Sequence, residues 1–216
     1  MKVVRYLVTG FICFGVASTA VANEMDATLP NKVSTQSQTA DNAQAKAFYE
    51  QAIQYMTDSK NAKANQAKIV DLLTKSAELD YTPAQVDLGK VYYFGLGGNR
   101  NDAAALVWFK RAAELGDAKG QYHLGQMYTE GKAGLKESEK EASVWYKKSA
   151  DQGYAPAQYY LAILYMAGVD GIEKNPTQAI ELLQKAAKQG DQEAIQLLSK
   201  IQPQQPQSID APKLDN

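Results

Sequence analysis

An all-α fold is what this 216-residue chain predicts: α/α helix pairs stacked into a superhelical solenoid of about four pairs, closed by a terminal capping helix. Three observations predict it. A phrase of residues returns every 36 or 37 positions. Each copy holds two apolar stripes at three- and four-residue spacing, the period of a helix buried on one face. Each copy also ends on a glycine, at Gly116, Gly153 and Gly190.

The recurring phrase begins at Leu88-Gly89, Leu124-Gly125, Leu161-Ala162 and Leu197-Leu198. Tyr92, Tyr128 and Tyr165 follow, then Gly95, Gly131 and Gly168. Further on stand Trp108-Phe109, Trp145-Tyr146 and Leu182-Leu183, and behind them Ala112-Ala113, Ser149-Ala150 and Ala186-Ala187. A fixed period of this length marks units that cannot bury their apolar faces alone and therefore stack.

In chain order, residues 1–22 read as a secretory signal peptide. Lys2 and Arg5 precede an apolar run from Tyr6 to about Val16, and Ala20-Val21-Ala22 fits a cleavage site. Ser18-Thr19-Ala20 is a second, weaker fit. The run is shorter than the roughly 20 residues that span a bilayer, and bulky Phe11-Ile12 before Cys13 argues against lipidation. Cleavage after Ala22 would leave 21 basic against 24 acidic residues, a net charge of −3, and remove the only cysteine. That balance favours neither nucleic-acid binding nor electrostatic membrane docking. It leaves no integral membrane segment, no disulfide framework and no thiol chemistry.

Residues 23–42 lack any period and read as a disordered linker. The solenoid is expected over 43–201. A degenerate unit comes first, with Phe48, Ala52, Ile53 and Met56 on one helix (43–58) and Ile69, Leu72, Leu73 and Ala77 on the next (66–79). Full repeats follow at 84–119, 120–156 and 157–193, and 192–200 is a lone final helix. Residues 202–216, with Pro203, Pro206 and Pro212 among glutamines, read as a disordered tail.

Within 84–119, Ala84, Leu88, Val91 and Tyr92 define helix A, which should stop at Gly95. Ala105, Trp108, Phe109, Ala112 and Ala113 define helix B. Thr82-Pro83 and Asn175-Pro176 place a capping side chain before a proline, and Ser138 with Glu141 forms a capping box. The small residues after each helix A leucine allow close helix approach, with aromatic rings filling the grooves. Twelve residues always separate the helix B aromatic position from the next helix A start, as from Trp108 to Gly120. Length varies only in the A–B loop, so the B–A junction is the packed one.

Leu-Gly-x-x-Tyr-x-x-Gly, followed by Trp-(Phe/Tyr)-x-x-(Ala/Ser)-Ala and Gly, resembles the SEL-one-like repeat, a relative of the tetratricopeptide repeat. The third unit departs from it at Ala162 and Leu182-Leu183. The resemblance implies an α/α superhelix with an adaptor or scaffold role. It also implies that helix A lines the concave wall. Carrying the Leu-Gly register over places Val86, Lys90, Tyr93 and Phe94 on that wall, then Tyr122, Gln126 and Thr129, then Tyr159, Ile163 and Met166. Tyrosine and apolar residues dominate this set, as they do in protein interfaces.

Catalytic signatures are absent from the sequence. One histidine, His123, is too few for a histidine-based metal site. Gly95-Leu96-Gly97-Gly98 has no Lys-Ser/Thr after it and reads as a helix-ending turn. Glu137, Glu139 and Glu141 sit where a helix begins and complement its dipole. Lys110-Arg111 and Lys147-Lys148 repeat on helix B as a solvated face. The expectation is a periplasmic or secreted, non-enzymatic protein without metal or cofactor, binding a periplasmic or envelope protein in its groove. Two alternatives stay open: an immunity protein neutralising a periplasmic toxin enzyme, and a weak penicillin-binding or β-lactam-hydrolysing repeat protein. The second resembles cysteine-rich relatives, whose cysteines this chain lacks.

Overall fold

The computed structural model describes residues 35–201 apart from 59, 60, 62, 63, 97, 99 and 170. The expected signal peptide, most of the expected linker and the proline-rich tail lie outside the described residues. Among those described there are nine α-helices and no strand: α1 (Thr35–Thr57), α2 (Gln66–Glu78), α3 (Thr82–Phe94), α4 (Asp102–Glu114), α5 (Ala118–Thr129), α6 (Glu139–Asp151), α7 (Ala155–Ala167), α8 (Pro176–Lys188) and α9 (Gln192–Ile201). Successive helices pack on one another throughout, giving four A–B pairs and a closing A helix. None of the described helices is long and apolar enough to cross a membrane. One boundary differs from expectation. The first helix starts at Thr35, so residues 35–42 of the expected linker are helical. Among the described side chains of α1 only Ala45 and Ala52 are fully buried, and the sequence TQSQTADN over 35–42 offers no apolar pattern to read.

The B–A turns are uniform. Each of residues 79–81, 115–117, 152–154 and 189–191 joins two helices with three residues. Three of the four use glycine at a left-handed position, with φ 89° at Gly116 and 88° at Gly153 and Gly190. In the first turn Asp80 takes the same position at φ 61°. Its Oδ1 accepts from Gln85 Nε2 at 3.2 Å and from Arg111 Nε at 2.8 Å, contacts that hold an aspartate in a region this residue type tolerates. The A–B loops vary from seven residues (95–101) to nine (130–138), and the longest contains a 3₁₀ turn at Lys132–Gly134. Asn175 and Ser138 cap α8 and α6 as expected, while Thr82 lies inside α3, whose N-cap is Tyr81. Asn101, Asp117 and Asp191 supply three further side-chain caps.

Small and large residues compensate across each A–B crossing. A Cβ added at Gly89 would lie 2.5 Å from Phe109 Cε1, and one at Gly125 would lie 2.7 Å from Tyr146 Cε1. Both rings are almost fully buried. In the third repeat Ala162 shares its buried cluster with Leu183, and in the first unit Ala52 shares one with Leu73. Glycine therefore accompanies an aromatic ring and alanine accompanies leucine, which accounts for the departure of 157–193 from the repeat phrase.

A ladder of buried glutamines ties the A helices to the B helices on either side. Gln85, Gln121 and Gln158 each donate from Nε2 to a helix B carbonyl, those of Ala77, Ala113 and Ala150. Gln152 and Gln189, the C-cap residues of α6 and α8, donate to the Oε1 of Gln121 and Gln158 at 2.8 and 3.0 Å. At the equivalent C-cap of α4 stands Leu115, which is 52% exposed, and Gln85 Oε1 is buried without a partner.

Candidate protein-binding groove

The A helices approach each other across repeats. Helix α3 touches α5 directly. Tyr49 of α1 donates its hydroxyl to Asp87 of α3 at 2.9 Å, and Tyr93 of α3 donates to Glu130, just past α5, at 2.6 Å. These contacts put the A helices α1, α3, α5, α7 and α9 on one continuous side of the stack, called the inner wall below. Tyr49, Val86, Tyr122 and Tyr159 hold one level of this wall. In repeat register Ile53, Lys90, Gln126 and Ile163 are the equivalent set one turn along, and Met56, Tyr93, Thr129 and Met166 the set beyond, although the Thr129 hydroxyl lies 3.2 Å from Tyr146 Oη on α6.

The expected groove residues differ in what they offer. Lys90 pairs with Asp87 at 3.2 Å and is half-buried. Tyr93 lies under the Arg100 guanidinium, 5.1 Å from its ring centre, and touches Phe94 edge-on. Phe94 is 61% exposed. Gln126, Thr129, Tyr159, Ile163 and Met166 are half-buried. Val86 and Tyr122 depart from expectation, being 2% and 9% exposed. Tyr122 is locked in a cluster of rings, 5.3 Å from Tyr154, 5.8 Å from Tyr160 and 5.9 Å from Tyr146. It builds the wall rather than presenting itself to a ligand. Residue spacing could not show this, because Tyr154 and Tyr160 reach it from a B–A turn and the next A helix.

Burial sets the protonation states. It raises the Tyr49 and Tyr93 phenols well above the ordinary range, and the carboxylates of Asp87 and Glu130 add to the effect. His123 stacks on Phe109 at 4.6 Å, with Nδ1 2.8 Å from Gln126 Oε1. Burial lowers its pKa to about 4, against the upward pull of Gln126, so the ring is neutral at pH 7. The ring is partly buried against Phe109 and Tyr122.

Two small notches open on the inner wall, two repeats apart. One, of about 100 Å³, is lined by Tyr49, Pro83, Val86, Asp87, Asp117 and Lys119. The other, of about 170 Å³, is lined by Tyr122, Pro156, Tyr159, Tyr160, Asp191 and Glu193. Sequence reasoning missed Tyr160, Asp191 and Glu193. The signal was the aspartate before α5 recurring before α9, at Asp117 and Asp191.

The outer face neutralises itself. Lys110 pairs with Glu114 at 3.8 Å and Lys147 with Asp151 at 2.9 Å. Arg111 is held by Asp80, and Lys148 lies 3.9 Å over Trp145. Among the described residues no group of three or more His, Cys, Asp and Glu side chains is placed to hold a metal ion.

A stack of A–B helix pairs with a tyrosine-rich face defines a helical-repeat solenoid protein. Comparison with known proteins gives the family. The Sel1 repeat model matches residues 36–54, 82–117, 118–154 and 155–191, and the chain belongs to the Sel1 repeat family. Its fold is similar to that of a protective antigen of uropathogenic Escherichia coli, at 32% identity and TM-score 0.66, covering 77% of this chain and 35% of that one. It is also similar to a Sel1 repeat protein from Oxalobacter formigenes, at 28% identity and TM-score 0.64, covering 78% of this chain and 64% of that one. The chain thus spans about a third of the first protein and under two thirds of the second. No protein with a curated description matches the sequence. The Sel1 repeat fold implies a scaffold for protein–protein interaction.

Proposed function

We propose that this protein is a periplasmic, non-enzymatic adaptor that holds a segment of a partner protein along the inner wall of its superhelix. The observation that carries this reading is the chemistry of that wall. It exposes aromatic and aliphatic side chains from successive A helices, whereas the charges of the outer face are largely matched among themselves. A wall of rigid tyrosines offers large contact area at small entropic cost, the composition of binding hot spots. The export step rests on the order of basic, apolar and small residues over positions 2–22. Inhibition of a periplasmic hydrolase would use the same wall with a different occupant, and the identity of the partner separates the two roles.

The test is photo-cross-linking in intact cells. A photoreactive phenylalanine analogue replaces Tyr159 or Met166 on the inner wall, or Lys147 on the outer face. The reading predicts a discrete partner captured from 159 and 166 and none from 147, in a periplasmic fraction whose N-terminal sequence begins after Ala22. Capture from 147 alone moves the site to the outer face. A protein that retains Met1 overturns the export step.

A further inference from the structure

The two inner-wall notches occupy equivalent places in their repeats and differ in charge. In the α1–α3–α5 notch Asp87 already accepts from Tyr49 and Lys90, and Lys119 lines the rim. Its two carboxylates, Asp87 and Asp117, are thus balanced in number by Lys90 and Lys119. The α5–α7–α9 notch is built differently. Tyr159 and Tyr160 form its aromatic side, 5.3 Å apart and edge to face, with the buried Tyr122 ring behind them. Pro156 lines it as well. Asp191 and Glu193 line its rim, and neither belongs to any ion pair among the described residues. Asp191 Oδ1 caps α9 by accepting from Ala194 N at 2.9 Å. No lysine or arginine lines this notch. Burial raises the Tyr159 phenol, and the neighbouring Tyr160, Glu193 and Asp191 reinforce the shift, so the ring sits in a negative field.

We infer that the α5–α7–α9 notch is a receptor for one cationic side chain, arginine or lysine, of an extended partner segment lying along the inner wall. This rests on the adaptor reading and names the chemistry of its partner. An aromatic side attracts a cation through the ring quadrupoles, and two carboxylates outside any ion pair attract it through charge. Partial enclosure strengthens both over an open surface. The other notch, charge-matched and smaller, takes a neutral side chain. Helix axes about 10 Å apart put the two notches roughly 20 Å from each other. An extended chain spans that in about six residues, so the cationic residue stands about six positions from its neutral companion.

The experiment is a two-dimensional NMR titration of the purified chain with an acetylated, amidated peptide, Gly-Ser-Ala-Gly-Arg-Gly-Ser. The control carries citrulline, neutral and isosteric, in place of arginine. The arginine peptide should shift the amides of Tyr159, Tyr160, Asp191 and Glu193, and bind about fivefold more tightly than the control. Asp191→Asn with Glu193→Gln keeps the cap and the side-chain shapes while removing both charges, and should abolish the difference. Tyr159→Leu should weaken arginine binding with the carboxylates in place. Equal affinity for the two peptides, or shifts confined to the outer helices α4, α6 and α8, overturns the inference. Cross-linking from 166, outside the notch, separates the two levels. If a partner is captured equally by wild type and by Asp191→Asn/Glu193→Gln, the adaptor reading stands and the cation receptor falls. If the arginine peptide binds here and no partner is captured, the receptor stands and the adaptor reading falls.

Discussion

Replacing Leu115 by glutamine should stabilise this protein. The structure leaves Gln85 Oε1 buried and unpaired, at the one full A–B junction where the C-cap residue is not glutamine. Its two successors, Gln121 and Gln158, receive a side-chain amide from Gln152 and Gln189. A buried acceptor left unsatisfied costs about 1–3 kcal/mol, and ordering a new glutamine side chain costs on the order of 1 kcal/mol. Leu115 is 52% exposed, so little apolar burial is lost with it. The net expectation is a gain of about 1 kcal/mol, or roughly 2–4 °C in Tm for a domain of this size. The reverse change, Gln152→Leu, orphans Gln121 Oε1 and also breaks the 2.9 Å bond to the Gly116 carbonyl. It should cost about 1–3 kcal/mol. Urea denaturation followed by circular dichroism measures both, with the denaturant slope checked for constancy. A Leu115→Gln protein no more stable than wild type, beside a Gln152→Leu protein that loses nothing, would refute the ladder as a source of stability.

Two other outcomes follow from the core. Gly125→Ala should destabilise, because its new methyl meets the Tyr146 ring at 2.7 Å, and adding Tyr146→Leu should recover part of the loss by reproducing the Ala–Leu pairing of the neighbouring repeat; equal melts for the single variant and wild type would contradict the close crossing. His123 is neutral when folded down to about pH 4, whereas the unfolded ring takes up its proton near pH 6.5. The unfolded chain therefore binds more protons between these values, and stability falls as pH drops through that window, by on the order of 2 kcal/mol. Urea midpoints at pH 7 and 4.5 should show a smaller fall in His123→Gln than in wild type, and identical falls would show that the ring is not buried.

The periodic residues carried most of the fold. Leu88, Leu124 and Leu161 each fall within buried stripes, and the glycines that close helix B sit at left-handed turns, because helical packing writes itself at fixed spacing. What escaped was set by partners distant in sequence. The start of α1 carries no apolar pattern. Tyr122 belongs to the wall because of Tyr154 and Tyr160, a choice that spacing on α5 alone does not encode. The glutamine ladder was in plain sight as Gln85, Gln121 and Gln158, yet its meaning lies in bonds to carbonyls eight residues back and to the following B–A turn. The notch at α9 needed three helices to be brought together before Asp191 and Glu193 could be seen facing tyrosine rings.

The central claim is that the inner wall, not the outer face, receives the partner. Amide hydrogen exchange on the cross-linker-identified complex tests it most directly. The account predicts slower exchange in the exposed-side turns of α3, α5, α7 and the start of α9, with α4, α6 and α8 unchanged. Protection confined to α4, α6 and α8, with the tyrosine wall exchanging as in the free protein, would contradict it.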